Sequence, residues 1–208
     1  MTPPGTRRSA LPSSPQSEIP TSCKGWHRRG YLPHFDAGRV QQSITYRLHD
    51  ALPKSVLENF QAQVASEPDE VRQRHLRRLM ETYADAGHGA CELRSPEAAQ
   101  IVIDAWRHRD GVSYDLISWV VMPNHVHVLI NQYNDHPLER IVARWKSFTA
   151  TMINKTIGRT GTLWMPDYWD RYIRDEDHFR RVVDYIHNNP VRAGLVNAPN
   201  EWPWSSAS

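Results

Sequence analysis

The chain has 208 residues, which favours one main domain, and its 25 Lys and Arg residues nearly balance 23 Asp and Glu residues. Net charge therefore does not by itself indicate a nucleic-acid partner. The two cysteines, Cys23 and Cys91, are too few for a disulfide framework or a zinc cluster, and they fit a reducing cytoplasm. No apolar run approaches the ~20 residues of a membrane span, so no membrane association is expected.

The amino-terminal residues differ in composition from the rest of the chain. Residues 1–24 are rich in Pro, Ser and Thr, and this composition predicts a disordered tail ahead of a single domain over residues 25–208. Residues 25–35 instead mix aromatic and basic side chains. They fit either a segment that docks on a surface or nucleic acid, or a loop that packs on the domain through Trp26 and Tyr31.

Hydrophobic periodicity predicts four strands and four helical segments after this tail. In chain order they are a strand over 43–49, a helix over about 54–84 that breaks near Pro68, a helix over 96–108, strands over 114–121 and 125–130, a helix over 138–157, a strand over 168–173 and a helix over 176–189. Ser95 and Asp175 are expected to cap helices, Gly158 to end one, and Pro190 to stop the last.

This order of elements suits an α+β domain, in which an antiparallel sheet is covered by helices on one face in the manner of a ferredoxin-like fold. The strands over 114–121 and 125–130 are separated by a Pro-Asn turn and should pair as an antiparallel hairpin. The helical segment after the first strand is long enough to form an insert at about residues 54–92.

The most informative motif is a pair of histidines, His125 and His127, that follow the Pro-Asn turn within an apolar strand. Because side chains alternate along a strand, both imidazoles project from one face of the sheet. They are then close enough to bind one cation. A His-x-His pair is a weak signal when it stands alone, since such pairs also occur in ordinary strands.

The last helix carries a second group of polar residues beside an apolar stripe. Phe179, Val182, Val183 and Ile186 recur at helical spacing and should face the sheet. Two further side chains, Tyr185 and Asn189, lie one turn apart at the border of that stripe. If the histidine pair meets this helix, the Asn189 amide oxygen is a candidate third metal ligand, and Tyr185 would lie beside the metal.

Such a site has a chemical logic. Two imidazoles and one neutral amide leave positions open on an octahedral ion, and a phosphate oxygen can occupy them. A tyrosine phenolate can then attack the phosphate and form a covalent phosphotyrosine, which keeps the bond energy in the enzyme–DNA link. Because the bond energy is kept, the strand can be rejoined without a nucleotide cofactor.

Three sequence blocks together resemble the single-tyrosine HUH transposases, and within them the IS200-like REP-associated tyrosine transposases of bacteria. The blocks are WVVMPNHVH at 119–127, WDRYIR at 169–174 and YIHNNPVRAGL at 185–195. The ending WPWSS at 202–206 and the segment GYLPHFD at 30–36 also fit. The likeness extends over about residues 25–206 and implies the HUH endonuclease version of the ferredoxin-like fold.

The resemblance also implies an activity. It predicts a transposase that nicks and rejoins single-stranded DNA at palindromic hairpins through a 5′-phosphotyrosine. Tyr185 would be the nucleophile, and His125, His127 and Asn189 would bind Mg²⁺ or Mn²⁺. The protein would act on the bacterial nucleoid. REP-associated members resemble monomers, but the long insert leaves dimerisation open.

Candidates for DNA contacts are basic and aromatic residues around these blocks. Basic side chains would contact phosphates, Trp164 would stack on unpaired bases, and residues near the amino terminus would read a guide sequence or a hairpin foot. The set is Arg144, Lys146, Trp164, Arg171, Arg174, Arg28, Arg29 and Tyr31. For Trp164 the alternative is packing against the last helix.

Two other functions fit parts of the sequence. One is a domesticated protein that binds DNA hairpins and no longer cuts them, although all four proposed site residues are intact. The other is a zinc hydrolase of small molecules, which would want further His, Asp or Cys ligands that show no suitable spacing.

Overall fold

The structure, a computed structural model, describes residues 24–29 and 32–207. The described part contains six strands, five α-helices and two short 3-10 helices. They are β1 (Gly25–Arg29), β2 (Leu32–Asp36), β3 (Gln41–Arg47), α1 (Lys54–Gln63), α2 (Asp69–Asp85), a 3-10 turn (Glu92–Arg94), α3 (Pro96–Arg107), β4 (Tyr114–Val121), β5 (His125–Gln132), α4 (Leu138–Thr156), β6 (Trp169–Tyr172), α5 (Glu176–Arg192) and a 3-10 turn (Pro199–Glu201).

The central sheet has four antiparallel strands in the order β4-β5-β3-β6. The predicted hairpin of β4 and β5 is confirmed, and the turn between them closes with a hydrogen bond from Met122 N to His125 O. In the register of β3 with β5, Thr45 lies opposite His127 and Arg47 lies opposite His125. The predicted α+β class with an antiparallel sheet is therefore confirmed.

One face of the sheet carries the main apolar core. Alternate residues of β3 and β5, Ile44, Tyr46, Val126 and Val128, are 0% exposed and pack against α3 and α4. Burial of each such side chain contributes roughly 1.5–3 kcal/mol. The Ser95 hydroxyl caps α3 by accepting a hydrogen bond from Ala98 N, as its sequence predicts.

The opposite face is covered by α5, so the prediction that helices cover only one face is wrong. The apolar stripe of α5 packs against Val120 of β4, Met122 of the following turn and Leu129 of β5. The β5 residues that face α5 are His125, His127 and Leu129, so the strand offers a mixed polar surface on this side. Amphipathic helices can cover both faces because each strand alternates its side chains between them.

The region predicted as a helical insert, residues 54–92, contains α1 and α2, and the chain breaks between them at Pro68 as expected. These helices share a small core of their own, which includes Leu57, Leu76 and Met80. Trp169 of β6 also belongs to that core. Trp169 lies opposite Thr45 of β3, and Thr45 lies opposite His127 of β5, so Trp169 is on the face of the sheet that carries His127. The carboxyl end of α2 consequently approaches the histidine strand.

Strands β1 and β2 form a two-stranded antiparallel ribbon where the sequence suggested a loop or a docking segment. His34 joins this ribbon to the main domain, because its imidazole bonds to the carboxylates of Asp170 and Asp167. Burial lowers the pKa of His34, but these two carboxylates outweigh it and raise that pKa to about 9. Residues 1–23 and Tyr31 lie outside the described residues, so the division into a tail (1–24) and a domain stays a prediction.

Helix α5 continues two residues past Pro190, so the prediction that this proline stops the helix is wrong. Proline has no backbone N–H, so it removes one hydrogen-bond donor from the helix. The loss falls near the helix end, where carbonyls of the last turn bond to the following loop instead. Leu195 N, for example, donates to Pro190 O. No helix in the described residues is long and apolar enough to cross a bilayer.

Candidate active site

His125 and His127 project together from β5 into the space below α5. Both side chains are 1% exposed, and their ring centroids lie 4.9 Å apart. The alternation of the strand therefore brings the two imidazoles together as the sequence predicted.

Hydrogen bonds at Nδ1 fix how each imidazole presents its other nitrogen. His125 Nδ1 lies 2.7 Å from Asn124 Oδ1, which can only accept, so Nδ1 carries the proton and donates. His127 Nδ1 lies 2.8 Å from the Thr45 hydroxyl, which can donate or accept, whereas the Asn189 amide nitrogen, which can only donate, lies 3.4 Å from His127 Nε2. His127 Nε2 is therefore the acceptor and Nδ1 donates to Thr45, so the Nε2 lone pairs of both imidazoles point into the site.

Both imidazoles are neutral. Burial is the main cause that lowers the pKa of His125 to about 3, and Arg47 lowers it further. Burial also moves the pKa of His127 well below its ordinary value, with added repulsion from His125 and Arg47. A neutral imidazole is the form that binds a metal, so these shifts favour ligation at neutral pH.

Helix α5 places Tyr185 and Asn189 over the histidines, one turn apart on the helix. The rings of Tyr185 and His127 meet edge to face with centroids 5.1 Å apart, and Asn189 Nδ2 lies 3.4 Å from His127 Nε2. Burial raises the pKa of the Tyr185 phenol above its ordinary value, and the carboxylates of Glu81 and Asp85 raise it further. The phenol is therefore protonated at neutral pH.

Several polar atoms converge here without partners. Within the described residues, hydrogen-bond partners are lacking for four buried atoms: His125 Nε2, Asp85 Oδ1, the Tyr185 hydroxyl and Asn189 Oδ1. Buried polar groups are almost always satisfied, so such a group of atoms indicates a missing ligand. Two imidazole lone pairs and an amide oxygen are donors that a divalent cation can use, so the residues fit a metal site.

Asp85, at the last position of α2, is a site residue that sequence reasoning missed. Its Oδ1 lies 3.5 Å from His125 Nε2. Burial raises the pKa of this carboxyl to about 6, with a further contribution from Glu81. Sequence alone gave no signal for it, because α2 reaches the histidines only through the packing of the insert.

Two other supporting residues had partial sequence signals. Asn124 stands in the Pro-Asn turn and is 0% exposed; its Nδ2 donates to Ala84 O and His88 O. Arg192 lies two helical turns after Tyr185, and its guanidinium lies 5.0 Å from the centre of the tyrosine ring. The sequence prediction missed Arg192 because it ended this helix at Pro190, whereas α5 continues to Arg192.

Five arginines, from α2, β6, α5 and the connection between β6 and α5, lie beside the site, and we call them the arginine cluster: Arg74, Arg77, Arg171, Arg174 and Arg181. Burial lowers the pKa of Arg171, and the other four members lower it further. Within the described residues no carboxylate pairs with Arg74, Arg171, Arg174 or Arg181, all of which are exposed. Arg77 also lowers the pKa of His127, so the cluster extends to the histidines.

The remaining predicted DNA-contact residues are dispersed. Arg144 is exposed on α4, the helix on the opposite face of the sheet from α5. Lys146 Nζ donates to the carbonyls of Met165 and Pro166, at 2.5 and 2.7 Å. Arg28 and Arg29 are the last two residues of β1, and Tyr31 lies outside the described residues.

Trp164 is buried in the core, at 4% exposed, rather than on an open surface. Its Nε1 donates to Thr149 Oγ1, and its ring meets Tyr46 edge to face. The ring therefore neither faces a nucleic-acid path nor packs against α5 as the alternative proposed. Trp169, by contrast, lies against the insert with Arg77 over its ring.

A phenol and an amide on one helix thus face two imidazoles on a strand, and the segment that carries this arrangement is similar to known proteins. Residues 99–189 match the family described as "Transposase IS200 like". All four predicted site residues lie within this segment, whereas Asp85 and the insert lie outside it. The matched segment is less than half of the 208-residue chain, and the match shows that this segment is similar to that family.

Two individual relatives are similar to this chain. The REP-associated tyrosine transposase of Escherichia coli (strain K12) is 33% identical over 95 residues, covering 45% of this chain and 54% of that protein. A putative REP-associated tyrosine transposase of Haemophilus influenzae is 27% identical over 103 residues, covering 45% of this chain and 58% of that protein. The chain thus spans about half the length of these relatives, and the predicted resemblance is confirmed.

Two solved structures are also similar. One is a REP-associated tyrosine transposase bound to a REP hairpin, at 22% identity and a TM-score of 0.49, covering 86% of this chain and 81% of that one. The other is a putative transposase from Deinococcus radiodurans R1, at 16% identity and a TM-score of 0.33, covering 78% of this chain and 96% of that one.

Proposed function

We propose that this protein is a metal-dependent endonuclease and strand transferase that acts on single-stranded DNA beside hairpins, with Tyr185 as the nucleophile. The observation that carries the proposal is the buried Tyr185 hydroxyl, which lacks a partner in the described part of the chain and lies beside two neutral histidines. The match of residues 99–189 to a transposase family supports DNA as the substrate.

His125 and His127 would hold Mg²⁺ or Mn²⁺ through their Nε2 atoms, with the Asn189 amide oxygen as a further ligand. The amide can present either terminal atom to the cation by rotation about χ2. The bound cation would polarise the scissile phosphate and offset the negative charge that grows on it. Thr45 and Asn124 hold the ring protons outward and so keep both lone pairs directed at the cation.

Tyr185 would attack the phosphorus of one phosphodiester. The bond from the Tyr185 oxygen to phosphorus forms as the bond from phosphorus to the 3′ oxygen breaks. The phenolic proton passes to solvent, and the departing 3′ oxygen takes a proton from solvent, so charge and atoms balance. The product is a 5′-phosphotyrosine and a free 3′-hydroxyl, and the reverse reaction rejoins a strand without a nucleotide cofactor.

The environment of Tyr185 determines when this attack occurs. Its raised pKa keeps the phenol protonated and unreactive before substrate binds. Arg192, over the ring, and Arg77 both favour the phenolate and work against burial. Substrate and cation would therefore be needed together to complete the nucleophile.

The arginine cluster supports a DNA partner at this site. The four exposed members that have no carboxylate partner in the described residues can neutralise phosphates and position a strand without reading its sequence, whereas Arg77 is paired with Glu81. Because Arg171 lies on β6 and Arg77 on α2, the cluster spans the sheet edge and the insert. We propose that the single strand crosses this surface to reach Tyr185.

The test is covalent capture. The protein is incubated with Mn²⁺ and a labelled library of hairpin oligonucleotides with randomised single-stranded flanks, and adducts are separated by denaturing electrophoresis. We expect an adduct with the wild-type protein and none with Tyr185→Phe, which removes only the hydroxyl. Tyr172→Phe, a variant of an aromatic residue outside the site, serves as the control and should retain the adduct.

The same experiment distinguishes the alternative of a hairpin-binding protein that does not cleave. That alternative predicts retention of the hairpin library, no adduct with any metal, and retention that survives the double variant His125→Ala/His127→Ala. An adduct that persists in Tyr185→Phe contradicts both functions.

A further inference from the structure

The carboxyl end of α2, in the helical insert, brings one carboxylate to the histidine pair. Asp85 Oδ1 lies 3.5 Å from His125 Nε2, and both atoms are buried without a hydrogen-bond partner in the described part of the chain. Asp85 lies outside the segment that matches the family, because that segment begins at residue 99.

The two facing atoms are both acceptors. His125 Nδ1 carries the ring proton because it donates to Asn124, so His125 Nε2 offers a lone pair towards the Asp85 carboxylate. A lone pair and a carboxylate oxygen at this distance repel each other unless a positive species lies with them. Ligands adjacent to each other on an octahedral ion, with bonds of about 2.1 Å, are separated by roughly 3 Å, which is close to the observed spacing.

The fold holds the end of α2 at this position. Asn124 donates to Ala84 O and His88 O, so a single buried amide ties the histidine turn to the residues on both sides of Asp85. Through its other terminal atom the same amide orients His125. Asp85 and His125 are therefore positioned by one shared residue.

Charge gives a second reason for a carboxylate here. The proposed donors His125, His127 and Asn189 are all neutral, while Arg47, Arg77 and Arg192 add positive charge around His127. Mg²⁺ and Mn²⁺ are hard cations that bind most firmly to anionic oxygen ligands. Two imidazoles and one amide supply no anionic oxygen, and the Glu81 carboxylate is already paired with Arg77 at 2.6 Å, so Asp85 is the carboxylate at the histidines that can supply one.

We infer that Asp85 is a fourth ligand of the divalent cation, so that the helical insert completes the active site of this chain. The inference builds on the proposed function. In the described residues, no three His, Cys, Asp or Glu side chains lie close enough together to hold a metal ion. The Asp85 carboxylate would therefore turn further towards His127 as the cation binds. Its side chain is 17% exposed, which leaves it room to turn.

The experiment measures Mn²⁺ binding to the full chain without DNA, by electron paramagnetic resonance of free Mn²⁺ after treatment with a chelator. Asp85→Asn keeps the size of the side chain and removes its charge, and we expect at least ~10-fold weaker binding. Asp85→Ala should show the same loss. The matched control is Glu81→Gln, one turn earlier on α2, which removes an equal charge near Tyr185 and should change binding less than about threefold.

Thermal melting without metal separates ligation from a structural role. The amide introduced by Asp85→Asn could donate to His125 Nε2, so this variant should melt no lower than the wild type and should lose most of its stabilisation by Mn²⁺. A fall of more than about 3 °C without metal would assign Asp85 a structural role and overturn the inference.

The outcomes also separate this inference from the proposed function. If Asp85→Asn or Asp85→Ala binds Mn²⁺ like the wild type while His125→Ala does not, Asp85 is no ligand and the proposed function stands. Equal losses in Asp85→Asn and Glu81→Gln would show a general charge effect and would also overturn the inference. If none of these variants changes Mn²⁺ binding, both the inference and the proposed metal site fail.

Discussion

Substitution of Asn124 by alanine should destabilise the protein far more than a turn residue ordinarily does. The side chain is fully buried and makes three hydrogen bonds: it accepts from His125 Nδ1 at 2.7 Å and donates to Ala84 O at 3.0 Å and His88 O at 2.8 Å. Each buried bond contributes about 1 kcal/mol, and the deleted atoms leave a small cavity. We therefore expect a loss of about 3–4 kcal/mol in the free energy of unfolding.

Urea unfolding, followed by circular dichroism without metal, measures this loss. The matched control is Asn131→Ala on β5, the strand that follows the turn, because Asn131 makes one side-chain hydrogen bond, to Asp115. That control should lose about 1 kcal/mol. If Asn124→Ala loses no more than Asn131→Ala, the buried amide does not join the insert to the histidine turn, and the reasoning is refuted.

Three other parts of the structure give predictions of their own. The pKa of His34 is about 9 in the folded protein against an ordinary 6.5, and this shift contributes about 3 kcal/mol to the free energy of unfolding below pH 6.5. The contribution is lost as pH rises through 9. The unfolding free energies of the wild type and His34→Gln should therefore converge at high pH. Arg171→Ala/Arg174→Ala should lower the slope of log affinity for single-stranded DNA against log salt by roughly 2, whereas Arg180→Ala should leave it nearly unchanged in the same filter-binding series. Trp164→Phe should lose ~1–3 kcal/mol of unfolding free energy in urea without changing DNA affinity, and a large affinity loss would contradict its core position.

Local patterns were sufficient to predict the elements that carry the site. The alternation of β5 placed His125 and His127 on one face, and helical spacing placed Tyr185 and Asn189 together on α5. The juxtaposition of the two pairs followed from the apolar stripe of α5, which has only one sheet to cover. These residues could be found because the position of each depends on the periodicity of its own element.

Features that depend on distant contacts could not be predicted in the same way. Asp85 reaches His125 only because the insert packs on Trp169, a contact between residues far apart in sequence. Trp164 looked available for stacking, but its burial is set by the arrangement of α4 beside β3. The ribbon of β1 and β2 lacks clear alternation, and buried bonds from His34 to two carboxylates hold it in place.

The central claim is that Tyr185 becomes covalently linked to DNA, and peptide mapping of the captured adduct tests it most directly. Trypsin should release residues 182–192 as one peptide, VVDYIHNNPVR, in which Tyr185 is the only tyrosine among the eight of the chain. We expect the mass of a nucleotide on this peptide, localised by fragmentation to Tyr185. A nucleotide on any other residue, or an adduct with no modified 182–192 peptide, would contradict the account.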